Sequence, residues 1–162
     1  MKKFVIQSVL LLGVIIIAVF LFQSNARVPE LPFLPRPSVL GEVEINGALL
    51  KVEIADTQDK RSKGLGGKQP LASDEGMLFI FPKADKHPFW MKGLSFPLDF
   101  VWIRENKVVD VLQNIPPPQP EQTDESLPIY SSNEPADKVL EVLAGTAKRL
   151  NIKAGDLVKI EF

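Results

Sequence analysis

The stretch Asp74–Ile103, DEGMLFIFPKADKHPFWMKGLSFPLDFVWI, decides how the rest of the chain is read. It holds the single His and both Trp of the protein. Gly76–Phe81 is apolar throughout, so both of its faces need cover, and it reads as a central strand. Pro82 has no N–H to give a ladder and is expected to end it. Pro82–Phe96 reads as an aromatic loop and Pro97–Ile103 as a second strand. Alternation puts Leu98, Phe100 and Trp102 on one face of that strand and Asp99 with Val101 and Ile103 on the other.

On the N-terminal side, Glu42–Ile54 (EVEINGALLKVEI) alternates apolar and charged residues around Asn46-Gly47. That pair suits a type I′ turn, in which both central residues need φ > 0, so the segment reads as a hairpin with one wet face. Asp56–Gly67 opens with Asp56 or Thr57 as N-cap and stops in glycines, predicting a short surface helix at Gln58–Leu65. Gly64, Gly66 and Gly67 match no phosphate-binding fingerprint.

On the C-terminal side, Leu98–Ile103 and Val108–Leu112 form a second hairpin across Arg104–Lys107. Ile115–Pro128 holds five Pro and reads as a long stiff loop. Lys138–Leu143 reads as a strand, Ala144–Leu150 as a helix, Asn151–Asp156 as a turn and Leu157–Phe162 as a last strand. The fold class is therefore mostly β (α+β): a compact barrel-like domain with two short helices, behind an N-terminal transmembrane or signal helix.

That N-terminal segment is Lys2-Lys3 followed by Phe4–Phe22, nineteen residues whose polar members are Gln7 and Ser8. As a helix it would span roughly 28 Å, close to the ~30 Å hydrocarbon core of a bilayer. Two readings compete, an uncleaved signal anchor and a signal peptide cut near Ala26. Length and richness in Ile, Val and Leu favour the anchor. Either way the positive-inside bias puts Lys2-Lys3 in the cytoplasm and the domain outside, single-pass in the membrane or, after cleavage, secreted or periplasmic. Residues 1–26 are thus the membrane or signal segment, 27–41 a Pro-rich linker, and 42–162 the folded domain.

Composition excludes several function classes. Without Lys2 and Lys3, the Lys+Arg count falls from 19 to 17 against 20 Asp+Glu, a net charge of −3. A mildly acidic domain without a basic run argues against nucleic-acid binding. The absence of Cys removes thiolate metal sites, disulfides and Cys nucleophiles. With one His as well, no metal site and no cofactor is expected.

Two constellations remain. Asp99 and Glu141 each sit on a strand apolar on both faces, where a carboxylate must be hydrogen-bonded or paired. Arg61, Lys92 and Arg149 are candidate partners. The functional reading is a paired acid/base site; the plainer reading, an ion pair or bonds to loop amides, outweighs it. The loop His87–Lys92 (HPFWMK) is an aromatic–cationic cluster able to stack a flat ligand, with Lys92 supplying charge. Its plainer reading is a cap over the core. A Ser-His-Asp triad from His87, Ser95, Asp85 and Asp99 has only proximity in its favour.

The order Arg61, Gly64-Leu65, Asp74–Phe81 (DEGMLFIF), Phe89–Lys92 (FWMK), Pro97-Leu98-Asp99, Tyr130, Pro135-Ala136, Val139-Leu140-Glu141, Gly145 and Gly155-Asp156 resembles the DUF192 family. The resemblance covers about residues 42–162. It implies a small, mostly β domain, often behind a signal peptide or anchor, and imports no activity. Two departures stand out: Gly93-Leu94 replace a polar Asn-Thr pair usual in the family, and the loop Pro116–Pro128 is longer and stiffer than expected.

The sequence is best read as a membrane-tethered, extracytoplasmic module that binds an unknown small ligand or an envelope protein. Arg61, Trp90, Lys92, Asp99 and Glu141 would form the binding face, with Tyr130 at the rim. The alternatives are a hydrolase or lyase using Asp99 and Glu141 on an envelope substrate, and a structural envelope assembly domain.

Overall fold

The computed structural model describes residues 40–162. The expected first hairpin is present as β1 (Leu40–Ile45) and β2 (Ala48–Ala55). Asn46 and Gly47 between them have φ of 51° and 77°, the two positive values that a type I′ turn demands. β1 takes in Leu40 and Gly41, which the sequence reading gave to the linker. Among the described residues no helix is long and apolar enough to cross a membrane. The apolar segment 4–22, the cleavage position near Ala26 and the linker up to residue 39 lie outside the described residues.

After β2 comes the helix α1 (Gln58–Lys63), two residues shorter than expected. The Thr57 hydroxyl caps it by accepting the Lys60 N–H, and Gly64 ends it at φ 50°. No α1 side chain is buried; its ends hold it. Then follow β3 (Glu75–Asp85), β4 (Leu98–Arg104), β5 (Lys107–Ile115), a 3-10 turn (Asp124–Ser126), β6 (Ala136–Leu143), helix α2 (Thr146–Arg149) and β7 (Val158–Glu161).

The strands form one sheet in the order β5-β4-β6-β3-β2-β1-β7. Only β2 and β3, joined through α1, run parallel; the other neighbours are antiparallel. The sheet curls until its edges meet at one end. Lys107 bridges Leu157, and Val108 N–H donates to the Asp156 carbonyl at 2.9 Å. The barrel-like expectation therefore holds.

Pro82 does not end β3. Pairing with β2 stops at Phe79, and the β6 ladder lapses between Ile80 and Asp85. Pro82 sits in that gap, where a missing N–H costs nothing, and the strand runs on.

Two apolar layers result. Inside the curl every strand contributes, including Val43, Val52, Leu78, Val101, Val108, Leu140 and Val158, and α2 plugs one end with Ala147. The outer face of β3, β4 and β6 carries Phe79, Phe100, Trp102 and Val139. The loop 86–97 is laid over that face and buries Phe89, Met91 and Phe96 against it. Phe89 meets Phe79 edge-on at 5.0 Å and Phe100 at 5.6 Å between centroids. Each buried ring contributes about 1.5–3 kcal/mol by leaving water. The two layers explain why β4 is buried over Leu98–Ile103 and why its sequence has no polar face.

Candidate functional site

β4 and β6 are neighbours, with Asp99 opposite Val142 and Phe100 opposite Glu141. Because side chains alternate, this register sends the two carboxyls to opposite faces. Asp99 points into the barrel and is 0% exposed. Its Oδ1 accepts the Asn114 N–H and its Oδ2 the Ala147 N–H, each at 2.8 Å. A bulge in β5 makes the first bond possible: between Leu98 and Phe100 the register slips, and Asn114 adopts φ 58°. Asp99 thus fastens β5 and α2 to β4. The expectation of Asp99 in a binding face, and of Asp99 and Glu141 as an acid/base pair, is corrected by the sheet: no one substrate can touch both.

Glu141 points to the outer face and is 3% exposed. Across the ladders it faces Met77 on β3 and Phe100 on β4, neither polar. Among the described residues no hydrogen bond or ion pair reaches its carboxyl. Burial alone pushes its pKa from 4.5 up to about 8. The candidate partners named from sequence are engaged elsewhere. Arg61 Nη1 donates to the Asp56 and Ile80 carbonyls at 2.7 and 2.9 Å, Lys92 pairs with Asp124 at 2.6 Å, and Arg149 donates to the Ser73 carbonyl.

What Glu141 does meet is a cavity of about 410 Å³, within the size range of small-ligand sites. Its walls are Phe79, Phe81 and Phe89, with Leu65 and Leu94; at its mouth stand Arg61 and Lys63 of α1 and Trp90 and Lys92 of the loop. Trp90 is 51% exposed beside buried Phe89 and Met91, so one residue of the loop is turned outward. Arg61 lies over the Phe81 ring at 5.2 Å, and His87 stacks on the same ring at 3.6 Å. His87 Nε2 lies 3.0 Å from the Lys83 carbonyl, so the ring serves packing and no triad forms.

Glycines shape the cavity's side. Gly67 N–H donates to the Gly93 carbonyl at 2.9 Å, which clasps the turn after α1 to the loop 86–97. A Cβ on Gly66 would lie 3.3 Å from the Lys92 carbonyl, so only a residue without one lets the segments approach freely. Gly93, at φ 69°, and Leu94 also line the cavity. The Lys92–Asp124 contact ties the mouth to the Pro-rich loop, and that hydrogen bond raises the Lys92 pKa.

Of the residues expected at the site, Arg61, Trp90, Lys92 and Glu141 line one cavity and Asp99 does not. Tyr130 is not at the rim. Its backbone exchanges two 2.8 Å hydrogen bonds with Phe89 and its ring packs on Phe100, so it braces the loop from behind. Sequence reasoning missed Lys63 and treated Phe79 and Phe81 as core alone. The cluster Gly64, Gly66, Gly67 and Gly93 was the available signal, since glycines in two separate loops mark a close backbone approach.

Among known proteins, the chain matches the DUF192 family model, described as "Uncharacterized ACR", over residues 41–160. No curated protein matches it. Solved structures similar to the chain include two of bacterial proteins. One is a protein of Sinorhizobium meliloti 1021, provisionally described as a transcription regulator, with 30% identity, a TM-score of 0.68, and cover of 78% of this chain and 97% of that one. The other is a protein of unknown function from Novosphingobium aromaticivorans DSM 12444, with 29% identity, a TM-score of 0.64, and cover of 82% and 91% respectively. Because the family model matches nearly all of the folded domain, the chain belongs to the DUF192 family.

Proposed function

We propose that the domain is a small-ligand-binding module, held outside the cytoplasm at a membrane through residues 4–22. One observation carries the binding reading: the Glu141 carboxyl, without a partner among the described residues, on the floor of an aromatic-walled cavity. Burying such a group without a partner costs several kcal/mol, and a ligand that bonds to it recovers that cost on binding. The regulator description of the Sinorhizobium relative is not carried over, because the acidic domain has no basic run to hold phosphates.

Trp90 offers a direct test. In a Trp102→Phe variant it is the only Trp, and its emission reports the cavity mouth. A library of small polar aromatics, amines, acids and amino acids is expected to contain members that shift this emission and raise Tm, with the shift lost in Glu141→Leu. A library in which no member does either would overturn the binding reading. The tether is tested separately by fractionation with an alkaline wash: the full chain stays with membranes if residues 4–22 anchor it, and recovery in the soluble fraction removes the anchor.

A further inference from the structure

The charged residues lining the cavity are graded by exposure. Glu141, 3% exposed, is its one carboxyl and forms the floor. Half-buried Arg61 and exposed Lys63 from α1, with exposed Lys92 from the loop 86–97, are its three cations and form the mouth. Lys92 is committed to Asp124. Among the described residues no carboxylate lies within ion-pair distance of Arg61 or Lys63. The Asp56 pKa is held down by its pair with Lys60 and, to a lesser degree, by Arg61, whose two backbone bonds fix its guanidinium beside the cavity. Between floor and mouth the walls are aromatic. β3 and β4 place no titratable group against Glu141; its cross-strand neighbours are Met77 and Phe100.

A purely anionic ligand would satisfy the mouth and leave the floor unpaired. A purely cationic one would reach the floor only past Arg61 and Lys63. A molecule bearing both charges matches both ends, and its ammonium is also attracted by the ring faces. On the reading that the cavity binds a small ligand, we infer that its ligands are small zwitterionic amines, with the ammonium on Glu141 and the anionic group at Arg61 and Lys63. The proton balance follows. Free Glu141 is protonated at neutral pH because burial disfavours its charge. Seating an ammonium beside it favours the carboxylate, so the carboxyl proton leaves to solvent and the ligand nitrogen keeps its own three.

The test is isothermal titration of the full chain, wild type and Glu141→Gln, with phenylalanine, phenethylamine, 3-phenylpropionate and 3-phenylpropanamide. The same four forms built on leucine are titrated alongside. The expected result is that at least one amino acid binds tenfold or more tightly than its own amine, acid or amide. Its binding heat at pH 6.5 varies with the buffer's ionisation enthalpy as for one released proton. Its affinity rises about tenfold per pH unit up to about pH 8. In Glu141→Gln, shown folded by circular dichroism, the proton release disappears and affinity falls at least tenfold. If an amide binds as well as its amino acid and depends on Glu141, the ligand class is overturned while the binding cavity stands. If no compound of either series binds, the zwitterion assignment falls, and the binding reading is then decided by the broader Trp90 library.

Discussion

Asp99 and Glu141 are one sheet apart. Both are acidic residues on central strands, both are flanked by apolar side chains, and both are almost fully removed from water. Asp99 receives two backbone N–H groups. Among the described residues Glu141 receives no hydrogen bond, and it opens onto a cavity. A buried carboxyl that is fully bonded belongs to the architecture, because its partners are segments of the chain and its loss would leave their N–H groups unpaired. A buried carboxyl with no internal partner is a standing cost in the folded state, and it points to something from outside. Burial alone would not have told these two apart; the list of partners does.

The comparison breaks most easily at Asp99. Asp99→Ala orphans the buried Ala147 N–H and the Asn114 N–H, and hydrogen bonds to a charged group contribute about 1.5–3 kcal/mol each. The expected loss is about 4 kcal/mol, read from the midpoint of urea unfolding. A loss below about 1 kcal/mol would mean that Asp99 does not fasten β5 and α2.

Glu141 is expected to behave in the opposite sense. Its folded pKa of about 8 lies above the ordinary 4.5, so the folded state holds its proton where the unfolded state releases it. The penalty is absent below pH 4.5, grows as pH rises between 4.5 and about 8, and is constant beyond. A shift of that size corresponds to about 5 kcal/mol once the group is ionised in both states. Glu141→Gln should therefore match the wild type near pH 4.5 and exceed it in stability by several kcal/mol, at most about 5, at pH 8.5. Parallel pH–stability curves for the two proteins would show that Glu141 is not a strained, unpaired acid.

Trp102 sharpens the contrast from a third position. Its Nε1–H is buried and has no acceptor among the described residues, and Trp102 does not line the cavity. Trp102→Phe removes an unsatisfied donor together with some packing. The two terms oppose, and the net change is expected within about 1 kcal/mol in thermal unfolding. A loss above about 3 kcal/mol would reveal a partner for the indole. Lys92→Met should have the smallest effect of all. Its pair with Asp124 is exposed on both sides, so Tm is expected to stay the same at moderate salt.

Much of this was legible in the chain. Asn46-Gly47 announced the first hairpin, Thr57 the cap of α1, and the apolar runs at Gly76–Phe81 and Leu98–Ile103, the second interrupted by Asp99 alone, the centre of the sheet. These signals are local: they depend on φ preference, capping and a period of two, which a few adjacent residues define. The end of β3 was misjudged because whether a Pro is tolerated depends on what lies beside it, and that neighbour is β6, more than fifty residues away. The alternation on β4 was also read correctly, with Asp99 on the face of Val101 and Ile103.

What the sequence by itself determined is that each of the two carboxylates must be buried, and on which set of neighbours. It could not say that the two sets belong to different faces. That follows from the pairing of Phe100 with Glu141, and a shift of one residue in this register would have put both carboxyls on one side. Only the tertiary structure fixed it, because register between strands forty residues apart is set by the packing of two apolar layers at once. The same packing gave Asp99 its two amides and left Glu141 facing a cavity walled by α1 and the loop 86–97.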